Sequence, residues 1–370
     1  MSNNVKTKLC IDIETSERII SLRFLLSVLV VFFHNKITID TIQITGGMNI
    51  NQFLYLFPQL LVSDGIAKYA VPLFFVFSGD LLGSKLDCWS VLFRKKIHSL
   101  AIPYVAWIII YTIYTIGAKL LLLKFAPSIV ENPGKTVFTW ELKDWISHII
   151  GFSSAQGGNP FSAGQFWFVR DLFIFSILTP VIIKILQICP VLLFFAVTLF
   201  SLFGNFRFDD HLPSAIFYYI CGLCCGIFKI RFFTIIDKCS WGELIFLFLF
   251  CFLGKYFFLE KLSVLLWFEI LFSCLLVIKL SGVIRSNKIL FSRLKYLSGF
   301  SFFIYAVHMP FLMTIVQKVW LRIFPINSFP SSILEYFGVS MLVVCLSLLM
   351  GIFLSKCCPL LFKWLNGGRI

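Results

Sequence analysis

The sequence runs to 370 residues, 59% of them hydrophobic and 14% charged, with 45 phenylalanines and a formal net charge of +14. A soluble globular domain carries roughly 25% charged residues, so that class is excluded, and a membrane-spanning β-barrel is excluded by the absence of alternating segments of roughly ten residues. Apolar runs long enough to cross a bilayer core of about 30 Å as helices recur along nearly the whole chain.

A polar stretch carrying Asp12, Glu14 and Glu17 precedes the first apolar run. No small-residue cleavage site follows it, so the segment is expected to remain as a helix rather than to be removed as a signal peptide. The predicted spans, in order, are 19–37, 66–83, 100–123, 165–187, 190–204, 213–231, 242–259, 262–280, 298–320 and 333–355. The fold class predicted is therefore all-α, a polytopic bundle of about ten transmembrane helices. With both termini in the cytoplasm, most of the Lys and Arg, including Arg18, Lys85, Arg94, Lys95, Lys96 and Arg285, fall on the cytoplasmic side. That accounts for the positive charge by the positive-inside rule and needs no nucleic acid. The longer outer loops are expected at 38–65 and 124–164. We read residues 1–370 as one transmembrane domain with no appended soluble domain, and no internal repeat is evident, which weakens transporter architectures built from duplicated halves.

Within the first span stand two ionisable residues, Arg23 and His34. Ionisable groups at membrane depth are costly and mark functional sites by default. Eleven helical steps of about 100° return to within about 20° of the starting direction while climbing about 16 Å. Arg23, Ser27, Val30 and His34 therefore share one stripe, with a fixed cation near the cytoplasmic end and a titratable imidazole higher up. The bland alternatives are a His that hydrogen-bonds a neighbouring helix and an Arg that snorkels to the headgroups.

Five segments, taken in order, resemble the acyltransferase-3 family of bacterial integral membrane acyltransferases. Ser21-Leu-Arg23 followed by His34 is similar to that family's first-helix signature. Val71-Pro-Leu-Phe-Phe-Val-Phe-Ser78-Gly79 is similar to its second helix. Arg94-Lys-Lys-Ile-His-Ser-Leu-Ala-Ile-Pro103-Tyr104 is similar to a basic loop that runs into a Pro-Tyr helix. Phe166-Trp167-Phe168-Val-Arg170 is similar to the opening of a middle helix. Ser301-Phe-Phe-Ile-Tyr305-Ala-Val-His308-Met-Pro310 is similar to a late His-x-Pro segment. Two positions depart from the pattern: Ser21 stands where many members have Asp, and Ser99 follows Lys96 where the basic loop often has a second Arg.

The resemblance implies acyl transfer from acyl-CoA, with acetyl-CoA the first choice of donor, to a glycan or lipid-linked sugar acceptor at a bacterial inner membrane. His34 is then the expected general base, since a neutral imidazole can take the hydroxyl proton near pH 7. Arg23 is expected to meet phosphate or a developing oxyanion. Arg94, Lys95 and Lys96 are the expected donor-phosphate residues, or else plain positive-inside anchors. Trp167 and Arg170, after the Gly/Ser-rich stretch 151–164, are expected on the acceptor side with His308; the alternatives are an aromatic belt for Trp167 and a structural hydrogen bond for His308. Ser78 as a covalent nucleophile is disfavoured against helix packing through Ser78-Gly79, and Asp80 is assigned no role. The Cys221, Cys224 and Cys225 cluster lies in an apolar span, where cysteine behaves as a small hydrophobe. No metal and no tightly bound cofactor are called for. The rival reading is a transporter or flippase for a lipid-linked or acylated sugar, with Arg23 and His34 lining its pathway; such a protein would work without an acyl donor.

Overall fold

The computed structural model describes residues 13–35, 56–85, 89–125, 140–150, 164–203, 211–257, 263–326 and 329–369. Much of the expected outer loops, including 151–163, lies outside these residues, as does the polar stretch before Ile13. Among the described residues every regular element is a helix. We name α1 (Ile13–His34), α2 (Leu56–Gly83), α3 (Val91–Ala118), α4 (Gly164–Ile188), α5 (Pro190–Phe203), α6 (Leu212–Ile227), α7 (Trp241–Phe257), α8 (Val264–Ser286), α9 (Ser301–Ile323) and α10 (Phe329–Cys357).

Six of these, α2, α3, α4, α8, α9 and α10, are long and apolar enough to cross a membrane. Each overlaps an expected span, although α2 begins at Leu56, inside the expected outer loop 38–65, and α3 begins at Val91, nine residues before its expected start. The other four expected spans are helical as well but differ in kind. Helices α5 and α6 are apolar but short, and α7 has 17 residues. Helix α1 starts earlier than expected, so that Glu14, Glu17 and Arg18 form its first turns.

Helix α1 is the axis of the bundle. Apart from the Arg23–His34 stripe and Ser21 its middle is apolar, and such a helix has to be surrounded. It packs against α2, α8, α10, the first part of α9 and the short helix Lys288–Ser298, which leaves Leu22, Leu26 and Val31 with no exposed surface. Large apolar side chains instead face outward from the periphery, among them Phe195 on α5, Phe246 and Phe250 on α7, and Phe353 on α10. That distribution suits a protein solvated by lipid rather than water.

The foot of α1 is held by ions. Arg18 is fully buried and donates through Nη1 and Nη2 to the Asp237 carboxylate at 2.6 and 2.8 Å, through Nε to Ser281 Oγ at 2.8 Å, and to the Ile278 carbonyl at 2.9 Å. Its guanidinium also rests 4.6 Å from the Phe233 ring centroid. The hydrogen bonds and charge of Arg18 hold the Asp237 carboxyl below its ordinary value. A carboxylate whose folded pKa is depressed stabilises the fold above the unfolded pKa of about 3.9, and that contribution is lost as pH falls through the folded value. Thermal melts of the detergent-solubilised protein should therefore hold a plateau at neutral pH and fall on the acid side, and Asp237→Asn should flatten part of that acid-side fall while lowering the plateau. An acid limb unchanged in Asp237→Asn would remove the pair from this account.

Helices α2 and α6 meet backbone to backbone. Gly79 and Gly83 on one helix face Gly222 and Gly226 on the other, the small-xxx-small spacing that lets membrane helices approach closely. A Cβ at Gly222 would lie 2.0 Å from the Val76 carbonyl oxygen, and one at Gly79 would lie 2.3 Å from that of Tyr219. Both helices contribute walls to the cavity described next.

Helix α9 is broken where the sequence places Pro310. Regular helix runs over Ser301–Val307, the turn His308–Leu312 contains Met309 in an extended conformation (φ −123°, ψ 157°), and helix resumes at Met313. A break at this depth frees carbonyls that lipid cannot satisfy. Side chains satisfy them here: His308 Nδ1 meets the Tyr305 carbonyl at 2.7 Å, Gln165 Nε2 donates to that of Met309 at 2.6 Å, and the Tyr111 hydroxyl donates to that of Ala306.

Candidate functional site

Two cavities lie end to end along the α1 stripe. The larger, of about 440 Å³, is lined by Val30 and His34 of α1, Lys68, Val71, Pro72 and Phe75 of α2, Gln165, Trp167 and Phe168 of α4, His211 just before α6, Ser214 and Tyr218 of α6, and Tyr305 of α9. The smaller, of about 110 Å³, is lined by Arg23 and Ser27 of α1, Ser78 of α2, Phe168 and Leu172 of α4, Ser298, Ser301 and Tyr305, and Arg369. Phe168 and Tyr305 belong to both walls. They form the partition between the cavities, their rings 5.9 Å apart and nearly perpendicular. The four residues of the stripe thus divide in order, Arg23 and Ser27 on one side of the partition and Val30 and His34 on the other.

Three of the chain's five histidines gather at the larger cavity. His34, half-buried, is in its wall. His308 has no exposed surface and is not in the wall; it sits behind His34 with ring centroids 5.2 Å apart. Because a carbonyl only accepts, His308 Nδ1 must donate to Tyr305, which fixes the tautomer and leaves a lone pair on Nε2. That Nε2 is buried without a hydrogen-bond partner. The third, His211, stacks on Trp167 with centroids 4.3 Å apart and planes 21° from parallel. Trp167 therefore has one face covered by an imidazole, and both rings line the cavity.

The remaining expected site residues are distributed unevenly. Arg170 is buried on α4 outside both walls, and its Nε donates to Asp171 Oδ1 at 2.7 Å. Arg94 and Lys95 are exposed, whereas Lys96 is turned inward, half-buried, and lies within electrostatic reach of Arg23, Arg369 and Lys85. The basic run is thus split: Lys96 lies near Arg23 and Arg369 of the smaller cavity without lining it, and Arg94 and Lys95 face outward. Ser78 lines the smaller cavity and has no hydrogen bond to a base among the described residues. Ser21, where many family members have Asp, is buried and donates to the Arg18 carbonyl of its own helix at 2.8 Å.

Sequence reasoning did not single out Tyr305, Gln165, Lys68, His211 or Arg369. Tyr305 had a signal in the late motif, and its hydroxyl donates to the Gln165 carbonyl, which ties α9 to the start of α4 at the partition. Lys68, held by Asp64 at 3.5 Å, reads in sequence as an ordinary flanking cation. Among the described residues no three His, Cys, Asp or Glu side chains gather as metal ligands would.

The arrangement brings a fixed cation to one compartment and a pair of imidazoles to the next, with an aromatic partition between them. Over residues 17–352 the chain matches the model of a protein family described as an acyltransferase domain. No curated protein and no solved structure is significantly similar to it.

Proposed function

The chain belongs to the acyltransferase-3 family, and from that membership we propose that this multi-pass membrane acyltransferase moves an acetyl group, or another acyl group, from acyl-CoA to a hydroxyl of a cell-envelope polysaccharide or lipid-linked sugar. In this reading the protein spans a bacterial inner membrane about ten times, with α1, α5, α6 and α7 among the spans and both termini cytoplasmic. The smaller cavity then opens toward the cytoplasm and takes the donor, while the larger cavity takes the glycan.

The observation that carries the reading is the division of one helical stripe between two adjoining cavities. The acceptor hydroxyl attacks the thioester carbonyl at the Phe168–Tyr305 partition, and His34 removes its proton as the C–O bond forms. The tetrahedral intermediate collapses by breaking the C–S bond, and the proton held on His34 passes to the departing thiolate. His308, its tautomer fixed by the Tyr305 carbonyl, orients His34 from behind. The Trp167 and His211 rings supply aromatic surface suited to a sugar, and Lys68, Gln165 and Ser214 supply polar contacts to its hydroxyls. No acyl-serine is invoked, since Ser78 lacks a paired base.

The test is transfer from radiolabelled acetyl-CoA by the protein in nanodiscs, with envelope glycan from a strain lacking the protein as acceptor. Label should appear in the glycan as an alkali-labile ester and only when donor, acceptor and protein are all present. A glycan that stays unlabelled, with sugar crossing sealed vesicles in the absence of any donor, would instead favour the transporter reading.

A further inference from the structure

The strongest unassigned feature is a basic residue from the far end of the described chain that reaches the floor of the smaller cavity. After the short helix Pro359–Leu365, the chain turns through Gly367 (φ +64°) and Gly368 (φ +72°), a left-handed conformation that glycine adopts at no steric cost. The turn is fastened at several points. Trp107 Nε1 donates to the Leu365 carbonyl at 2.9 Å, and Asn366 Nδ2 donates to the Gly299 carbonyl at 2.7 Å. It also runs directly over the basic loop: a Cβ at Gly367 would lie 2.6 Å from the Ser99 carbonyl oxygen. The Arg369 guanidinium is thereby delivered against the Phe302 ring, 4.5 Å from its centroid, and into the same wall as Arg23.

We infer that Arg369, with Arg23 and the inward-turned Lys96, forms a binding site for a phosphate group of the donor, and that Arg369 supplies there the second guanidinium that the basic loop lacks at Ser99. This rests on the acyl-CoA reading. Three cations converge with no ion pair to any carboxylate among the described residues. Four serines, Ser27, Ser78, Ser298 and Ser301, share the wall. Ser301, only 6% exposed, has a hydroxyl with no hydrogen-bond partner. Half-buried cations without counter-charge, two of them in the same wall as an unpaired hydroxyl and the third close by, are the complement of an anion. Burial, with the Arg23 charge added, pushes the Arg369 guanidinium down to about 10, the cost of holding like charges together that a bound phosphate would relieve.

The experiment has two arms on the full chain in nanodiscs, with wild type, Arg369→Ala and Arg369→Lys first shown to melt alike. In the binding arm, calorimetry with inorganic pyrophosphate should show affinity reduced about 10- to 100-fold in Arg369→Ala, as expected for loss of a charged hydrogen-bonding partner, and a smaller loss in Arg369→Lys. In the kinetic arm, KM for acetyl-CoA should rise by a similar factor with kcat little changed, while KM for S-acetylpantetheine, which has no phosphate, should not move. Equal pyrophosphate affinity in wild type and Arg369→Ala, or an equal KM rise for both donors, would overturn the site. The two readings separate cleanly. Arg369-dependent pyrophosphate binding without any turnover of acetyl-CoA leaves the anion site and removes the acyl-CoA reading. Full turnover that is indifferent to Arg369 does the reverse.

Discussion

Replacing His34 by Ala is expected to lower acyl transfer by about a hundred- to ten-thousand-fold, the contribution of a positioned general base. Donor affinity should be preserved, because His34 lies across the Phe168–Tyr305 partition from the cavity that holds Arg23. The loss should therefore appear in kcat and not in KM for acetyl-CoA, the signature of an interaction used only in the transition state. His308→Ala should fall between wild type and His34→Ala: His308 touches His34 but not the cavity, so its removal loosens the base without deleting it. The assay is initial-rate ester formation at matched protein levels in the membrane. Wild-type kcat in His34→Ala would sink the general-base role.

The largest effect on stability is expected from Gly222→Ala. An added methyl would sit 2.0 Å from a main-chain oxygen of the facing helix, and a helix backbone, unlike a flexible side chain, has no rotamer to yield. Helices α2 and α6 must then part, at a cost of about 3 kcal/mol or more, the upper end for overpacking. Activity should fall as well, because Phe75 on α2 and Tyr218 on α6 both form part of the wall of the larger cavity. Gly117→Ala is the internal control: nothing lies within 4 Å of a Cβ there, and alanine is the better helix former. Thermal melts in detergent should show a lowered midpoint for Gly222→Ala and an unchanged or raised one for Gly117→Ala. Equal midpoints for the two variants would contradict the close-packing account.

Why some of this was legible in the sequence and some was not follows from where each signal resides. The Arg23–His34 stripe is a property of one helix, and the helical period alone places both residues on one side of α1. Long apolar runs likewise carry their own evidence, so α2, α3, α4, α8, α9 and α10 were readable without any partner. Helix α1 was misjudged at its start because Glu14, Glu17 and Arg18 look like solvated flanking charge, whereas Arg18 is buried against Asp237, 219 residues away in sequence. Contacts of that kind have no local signature. The same holds for the His34–His308 contact, for Lys96 turning inward while Arg94 and Lys95 face out, and for Arg369, which by composition is one more cation beyond the last span. Arg170 is an ionisable residue in a span, but its acidic neighbour Asp171 pairs with it, a contact whose signal is local in the sequence.

The central claim is that donor and acceptor arrive in separate cavities and meet at the Phe168–Tyr305 partition. Sealed proteoliposomes of uniform protein orientation test it most directly, with acetyl-CoA supplied only on the Arg23 side and envelope glycan only on the His34 side. The account predicts that ester-linked acetate accumulates on the glycan under these conditions, and that reversing the two compartments abolishes it. Transfer only when donor and glycan share one side of the membrane would contradict it.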